Sequence, residues 1–187
     1  MLYGVPTPRR RDAQRNRSAI VQAAGELLLS RAAVLMPEIA RRAGVGQATL
    51  YRHFPDRHAL VAAVVADRLE RLEAFVAAGA GRPSGFRDLL GEVLRTQLAL
   101  RPLVRPAGGL EREARRRAVA ALAPPLRRAQ AGGEARADLA AEDLALLFAM
   151  LAGAADAAEP AGGLTAAAAE RSIALLLDGV CPEPRLA

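Results

Sequence analysis

Five side chains able to recognise a partner fall between positions 47 and 53. Gln47, Thr49, Tyr51, Arg52 and His53 supply an amide, two hydroxyls, a guanidinium and an imidazole. Each can hydrogen-bond a base edge or a phosphate, and a single helix carrying them fits the major groove of duplex DNA. Catalytic chemistry has much less to work with. The two histidines, His53 and His58, stand on either side of Pro55, which is poor spacing for two metal ligands on one helix face. There is no G-x-S-x-G elbow and no Gly-rich phosphate loop after a strand, and no base lies near Cys181 in sequence to activate it. The expectation is therefore no enzyme, no metal and no cofactor.

The charge is unevenly distributed. Residues 1–57 carry ten arginines against Asp12, Glu26, Glu38 and Asp56, so the whole net charge of +6 lies there, and the rest of the chain is neutral. A basic segment joined to a neutral partner domain suits a polyanion, although a chain with no lysine at all also has an arginine bias. A single cysteine allows no disulfide framework within the chain and fits a reducing compartment, by default the cytoplasm. No export signal is read at the N-terminus. The longest apolar run, Leu144 to Ala155, is shorter than the roughly 20 residues a membrane span needs.

Helices must position the recognition residues, because apolar side chains recur at helical spacing and no alternating strand pattern appears. A first helix is expected from about Asp12 to Ser30, with Ile20, Ala23, Ala24, Leu27 and Leu28 on its inner face. A second runs from Met36 to Ala43 and stops at Gly44; a third runs from Gln47 to Phe54 and is closed by Pro55. Leu50 and Phe54, four apart, anchor the third helix inward and leave its other side free. Asp56 then caps a long fourth helix to about Ala78. A loop at Gly79–Gly85 leads to helices at Phe86–Leu100, Leu110–Leu122, Pro125–Ala131, Ala141–Ala157 and Thr165–Val180. The fold class is all-α, with a helix-turn-helix domain at 1–57 and a helical bundle at 58–187.

The run from Ile39 to Arg57, Ile-Ala-Arg-Arg-Ala-Gly-Val-Gly-Gln-Ala-Thr-Leu-Tyr-Arg-His-Phe-Pro-Asp-Arg, resembles the DNA-binding signature of the TetR family of transcriptional regulators. The resemblance covers about residues 15–66, and the helical remainder is similar in layout to the family's ligand-binding and dimerisation domain. It implies that Gln47, Ala48, Thr49, Arg52 and His53 approach bases while Tyr51 and Arg57 hold phosphates. It also implies a homodimer on double-stranded operator DNA, a small-molecule effector in the bundle, and release of the operator through movement of the fourth helix. Read from the residues alone, Tyr51 also fits a half-buried packing aromatic and His53 a helix end without DNA contact. Arg9, Arg10, Arg11, Arg15 and Arg17 fit a basic arm and first turn on phosphates, the first three equally a solvated tail. The chain departs from the family pattern at Ala32–Glu38: Leu35 stands where a Ser or Thr usually caps the second helix, with Pro37 and Glu38 behind it.

Two sites are expected in the second domain. After residue 58 the only aromatic residues are Phe75, Phe86 and Phe148, so an effector pocket lined by aliphatic side chains is expected, with Leu90, Leu94, Leu103 and Met150 as candidates beside a loop at Arg101–Gly109. The Ala141–Ala157 helix is apolar on two sides, and the last helix carries Ile173, Leu176, Leu177 and Val180 at helical spacing. A dimer seam is therefore expected at Leu146, Ala149, Met150, Gly153, Ile173, Leu176, Leu177 and Val180, the other reading being that both apolar sides are buried within one chain. The alternative is a constitutive or architectural DNA-binding dimer with no effector.

Overall fold

The computed structural model describes residues 8–30, 34–79, 85–106, 108–159 and 162–181. These form eight helices and no strand: α1 (Pro8–Ser30), α2 (Met36–Arg42), α3 (Gln47–His53), α4 (Arg57–Gly79), α5 (Gly85–Val104), α6 (Gly108–Ala131), α7 (Ala141–Ala158) and α8 (Ala166–Val180). The chain divides into two compact units, Met1–Asp67 and Arg68–Ala187, with the division inside α4. The loop expected between Gly79 and Gly85 lies outside the described residues, as do Ala32 and Ala33.

The first unit is built on a small apolar core. Ile20, Ala23, Ala24 and Leu28 of α1, Ile39 and Ala40 of α2, Leu50 of α3, Phe54, and Leu60 and Val64 of α4 are all buried. The α2–α3 turn follows from glycine. Gly44 takes φ +69°, a left-handed conformation that costs a side chain energy. This lets Val45 N–H reach the Ala40 carbonyl at 3.0 Å and Gly44 N–H reach that of Arg41 at 3.2 Å, the paired bonds of a Schellman stop. The start of α2 is as unusual as its sequence: Leu35 makes no side-chain cap and is 74% exposed, and Glu38 sits in the first turn at the positive end of the helix. Asp56 caps α4, accepting from Ala59 N–H at 2.7 Å.

The second unit packs α5 through the middle of a bundle, with Leu90, Val93 and Leu94 fully buried against Leu122, Leu144, Phe148 and Ile173. Of two expected breaks, one is shorter than expected and the other does not occur. α5 runs on through Pro102 to Val104, which shortens the loop expected at Arg101–Gly109. α6 is one helix through Pro124 and Pro125 rather than two. An internal proline removes one backbone hydrogen bond and costs about 3 kcal/mol. Ala118, Leu122, Leu126 and Ala129 nevertheless form one continuous buried stripe across the prolines, and each leucine so buried contributes about 1.5–3 kcal/mol. The stripe outweighs the break.

Candidate nucleic-acid interface

Leu50 is completely buried and Phe54 nearly so, which fixes the roll of α3 and decides what it presents. Gln47, Ala48, Tyr51 and Arg52 are exposed, while Thr49 and His53 are half-buried. Tyr51 is 46% exposed, so its ring is not core packing. Arg52 donates from Nη2 to Thr49 Oγ1 at 2.9 Å, one turn back along the helix, which holds the guanidinium over the exposed face. Ala48 adds no bulk between these groups and a surface laid against them.

Three contacts from neighbouring helices hold this face in place. The Arg17 guanidinium of α1 lies over the Phe54 ring, 5.1 Å from its centroid, a cation–π contact at the end of α3. Arg42 of α2 donates to Glu26 Oε2 of α1 from Nε at 3.2 Å and Nη2 at 2.8 Å. Arg57 donates from Nη1 to the Val34 carbonyl. This last partner is not visible in the sequence, where the family resemblance implies a phosphate contact for Arg57.

α1 begins at Pro8, so Arg9, Arg10 and Arg11 belong to the helix that was already expected to hold Arg15 and Arg17. Arg11 is exposed, and Arg15 pairs with Asp12 one turn before it. The side chains of Arg9 and Arg10 lie outside the described residues. Sequence reasoning passed over Arg41, which is exposed on α2 with no ion-pair partner among the described residues. Its place on the outer side of α2, beside the inward Ile39 and Ala40, was the available signal.

In the second unit the expected sites separate. Leu90 and Leu94 are fully buried in the core and Leu103 is buried, whereas Met150 is 60% exposed. They do not line one cavity. A small cavity bounded by Gln97, Leu98, Arg101, Val104, Phe148 and Leu151 holds only about 30 Å³, room for about one water. The seam residues also divide. Leu146, Ala149, Met150 and Gly153 are exposed on one side of α7, opposite the buried Leu144, Phe148 and Leu151. On α8, however, Ile173, Leu177 and Val180 belong to the core of their own chain, and Leu176 is half-buried. The large apolar side chain that α8 exposes is Leu175. That stripe faces inward.

Burial pushes the Cys181 thiol above its ordinary pKa, away from a reactive thiolate. Among the described residues no group of three His, Cys, Asp or Glu is placed to hold a metal ion, and no helix is long and apolar enough to cross a membrane.

A three-helix DNA-binding head with an outward recognition helix, followed by a helical second unit, defines a class: helix-turn-helix transcriptional regulators. Residues 20–64 match the family model described as "Bacterial regulatory proteins, tetR family". The chain is similar to the TetR transcription regulatory protein from Mycobacterium vanbaalenii, at 30% identity over 93% of this chain and 99% of that one, with a TM-score of 0.68. It is similar to the TetR transcriptional regulator SCO0520 from Streptomyces coelicolor at 28% identity, covering 90% and 99% of the two chains with a TM-score of 0.65. SmeT, the repressor of the Stenotrophomonas maltophilia multidrug efflux pump SmeDEF, shares the fold at 20% identity, 92% and 93% coverage and a TM-score of 0.62. No curated protein matches the chain. The chain belongs to the TetR family and is a DNA-binding transcriptional regulator.

Proposed function

We propose that this regulator is a homodimeric repressor that reads operator DNA with α3 and leaves it when a small-molecule effector binds the second unit. The observation that carries the reading is the outward row Gln47, Ala48, Tyr51 and Arg52 over the buried anchors Leu50 and Phe54. In this reading Gln47, Ala48, Thr49, Arg52 and His53 meet bases, and Tyr51 and Arg57 hold phosphates, with Arg11, Arg15 and the exposed Arg41 adding phosphate neutralisation. It involves no catalytic step and works in the cytoplasm, with the DNA.

A single α3 reads few base pairs, and a two-fold dimer presents two copies to half-sites about one helical turn apart. The exposed apolar side of α7, with Leu146 at 61% and Met150 at 60% exposure and Gly153 between open surroundings, supports a seam there, joined by Leu175 and Leu176 of α8. Two such pairs make a symmetric four-helix contact. The effector would enter along the α5 side chains Leu90, Leu94 and Leu103 only by parting the core.

The competing reading, a constitutive DNA-binding dimer, has one observation in its favour: the cavity beside Phe148 and Leu151 is water-sized. Operator selection from random duplexes, followed by release with small-molecule extracts, tests DNA and effector together. Failure to enrich any sequence overturns operator binding, and enrichment without release by any extract favours the constitutive dimer.

A further inference from the structure

One opening in the second unit does have the size of a small molecule. A groove of about 500 Å³ lies between α4 and α6, within the 300–1,000 Å³ usual for ligand sites. Its walls are small and apolar: Val76 and Ala77 of α4 face Ala120, Ala121, Pro124 and Pro125 of α6. The alanines keep the walls low. The prolines add a second property, because a proline has no N–H, so the carbonyls of Ala120 and Ala121 lack the helical donor four residues on. The groove is thus apolar, and the two proline rings form part of one wall.

Its rim is cationic. Arg116, Arg117 and Arg128 border the groove, with Glu73 as the acid among them. Glu73 is already committed to Arg117, which donates to its two carboxylate oxygens from Nε and Nη2, both at 2.7 Å. Arg116 is committed to Glu113, at 3.0 and 2.8 Å. Arg128 has no ion-pair partner among the described residues. Along α6, Arg117 and Arg128 are separated by about 16 Å at 1.5 Å per residue, so the two cations stand at different places along the rim.

We propose that this groove is a binding site for an amphipathic organic anion, a flat apolar body along Ala120, Ala121 and Pro124 with its single negative charge on Arg128. The assignment rests on the reading that the second unit takes a small-molecule effector, and it gives that effector a place and a chemical class. A lipophilic cation is disfavoured by the positive charge of the exposed Arg128, which an anion complements. The shallow, short trough suits a single small molecule better than a partner helix, whose side chains need deeper holes.

The test uses the full chain and two probes matched in shape. 8-Anilinonaphthalene-1-sulfonate is an amphipathic anion, and N-phenyl-1-naphthylamine is its neutral counterpart. The variants are Arg128→Glu, which reverses the free charge, and Ala120→Trp, which fills the groove from an exposed position; neither touches the DNA-binding unit. Circular dichroism confirms that both fold. The sulfonate is expected to bind saturably, one per chain, and about tenfold or more weakly in both variants. The neutral probe is expected to bind more weakly than the sulfonate and to lose affinity only in Ala120→Trp. Sulfonate binding unchanged in both variants overturns the site, and equal losses of both probes in Arg128→Glu overturn the anion class. If the probes behave as expected but the sulfonate leaves operator affinity unchanged, the site stands and the effector reading fails.

Discussion

Arg57 at the head of α4 donates its Nη1 hydrogen to the carbonyl of Val34, and so ties the segment between α1 and α2 to the start of the connecting helix. Val34 is itself buried, so the bond closes the small core of the first unit where α2 lacks a side-chain cap. A residue read as a phosphate clamp therefore also holds the DNA-binding unit together. Arg57→Ala is expected to lower stability by about 1 kcal/mol, as for a hydrogen bond from a charged donor at a partly exposed site. It is also expected to reduce the salt slope of DNA binding by about one. Thermal unfolding and salt-dependent anisotropy measure the two effects. An unchanged melting midpoint would show that the Val34 bond contributes nothing.

Arg52 concerns specificity. Its bond to Thr49 Oγ1 holds the guanidinium over the exposed face of α3. Arg52→Ala is expected to cost about 1–3 kcal/mol on the operator and to relax preference at one base position in each half-site. Thr49→Val, which removes the hydroxyl that orients Arg52, is expected to weaken the same preference less. Competition with operators substituted at each base reads both. A selectivity profile identical to that of the wild type in Arg52→Ala would move base recognition elsewhere on α3.

The two apolar sides of α7 and α8 predict opposite phenotypes. A side chain at Gly153 meets nothing within 4 Å in the isolated chain, so Gly153→Arg is expected to fold normally yet give a monomer in light scattering, with tight operator binding lost. Ile173→Ala removes a fully buried side chain and is expected to cost about 2–5 kcal/mol of stability. A folded Gly153→Arg dimer at micromolar concentration would place the seam off α7.

The Glu73–Arg117 pair adds a dependence on pH. The hydrogen bond from Arg117 holds the Glu73 carboxyl below its ordinary range, against an opposing effect of burial. A carboxylate whose folded pKa is depressed stabilises above its unfolded pKa, and that stabilisation is lost as pH falls through the lower folded value. Glu73→Gln is therefore expected to be less stable than the wild type at pH 7, with the gap closing on acidification below about pH 4. Both groups are partly exposed, so the gap is modest. Urea unfolding at the two pH values checks it; a gap that persists unchanged in acid would show that the carboxylate charge is irrelevant there.

Residues 39–57 were legible because their constraints are local. A glycine at φ +69°, a proline after Phe54, an aspartate capping α4 and two apolar residues four apart each act within one or two turns, so adjacent side chains suffice to set the helix-turn-helix and its outward row. The same locality made the apolar stripes of α7 and α8 visible. What covers each stripe depends on residues far along the chain. Ile173, Leu177 and Val180 turned inward because α5 and α7 offer them a packed core, leaving the opposite side of α7 exposed. The ends expected at Leu100 and Leu122 do not occur, because the buried faces that carry α5 through Pro102 and α6 through Pro124 and Pro125 are assembled only in the bundle. The partners of Arg57 and Arg117 were hidden for the same reason. Spacing along a helix determines which side chains share a face, but long-range packing alone decides what that face meets.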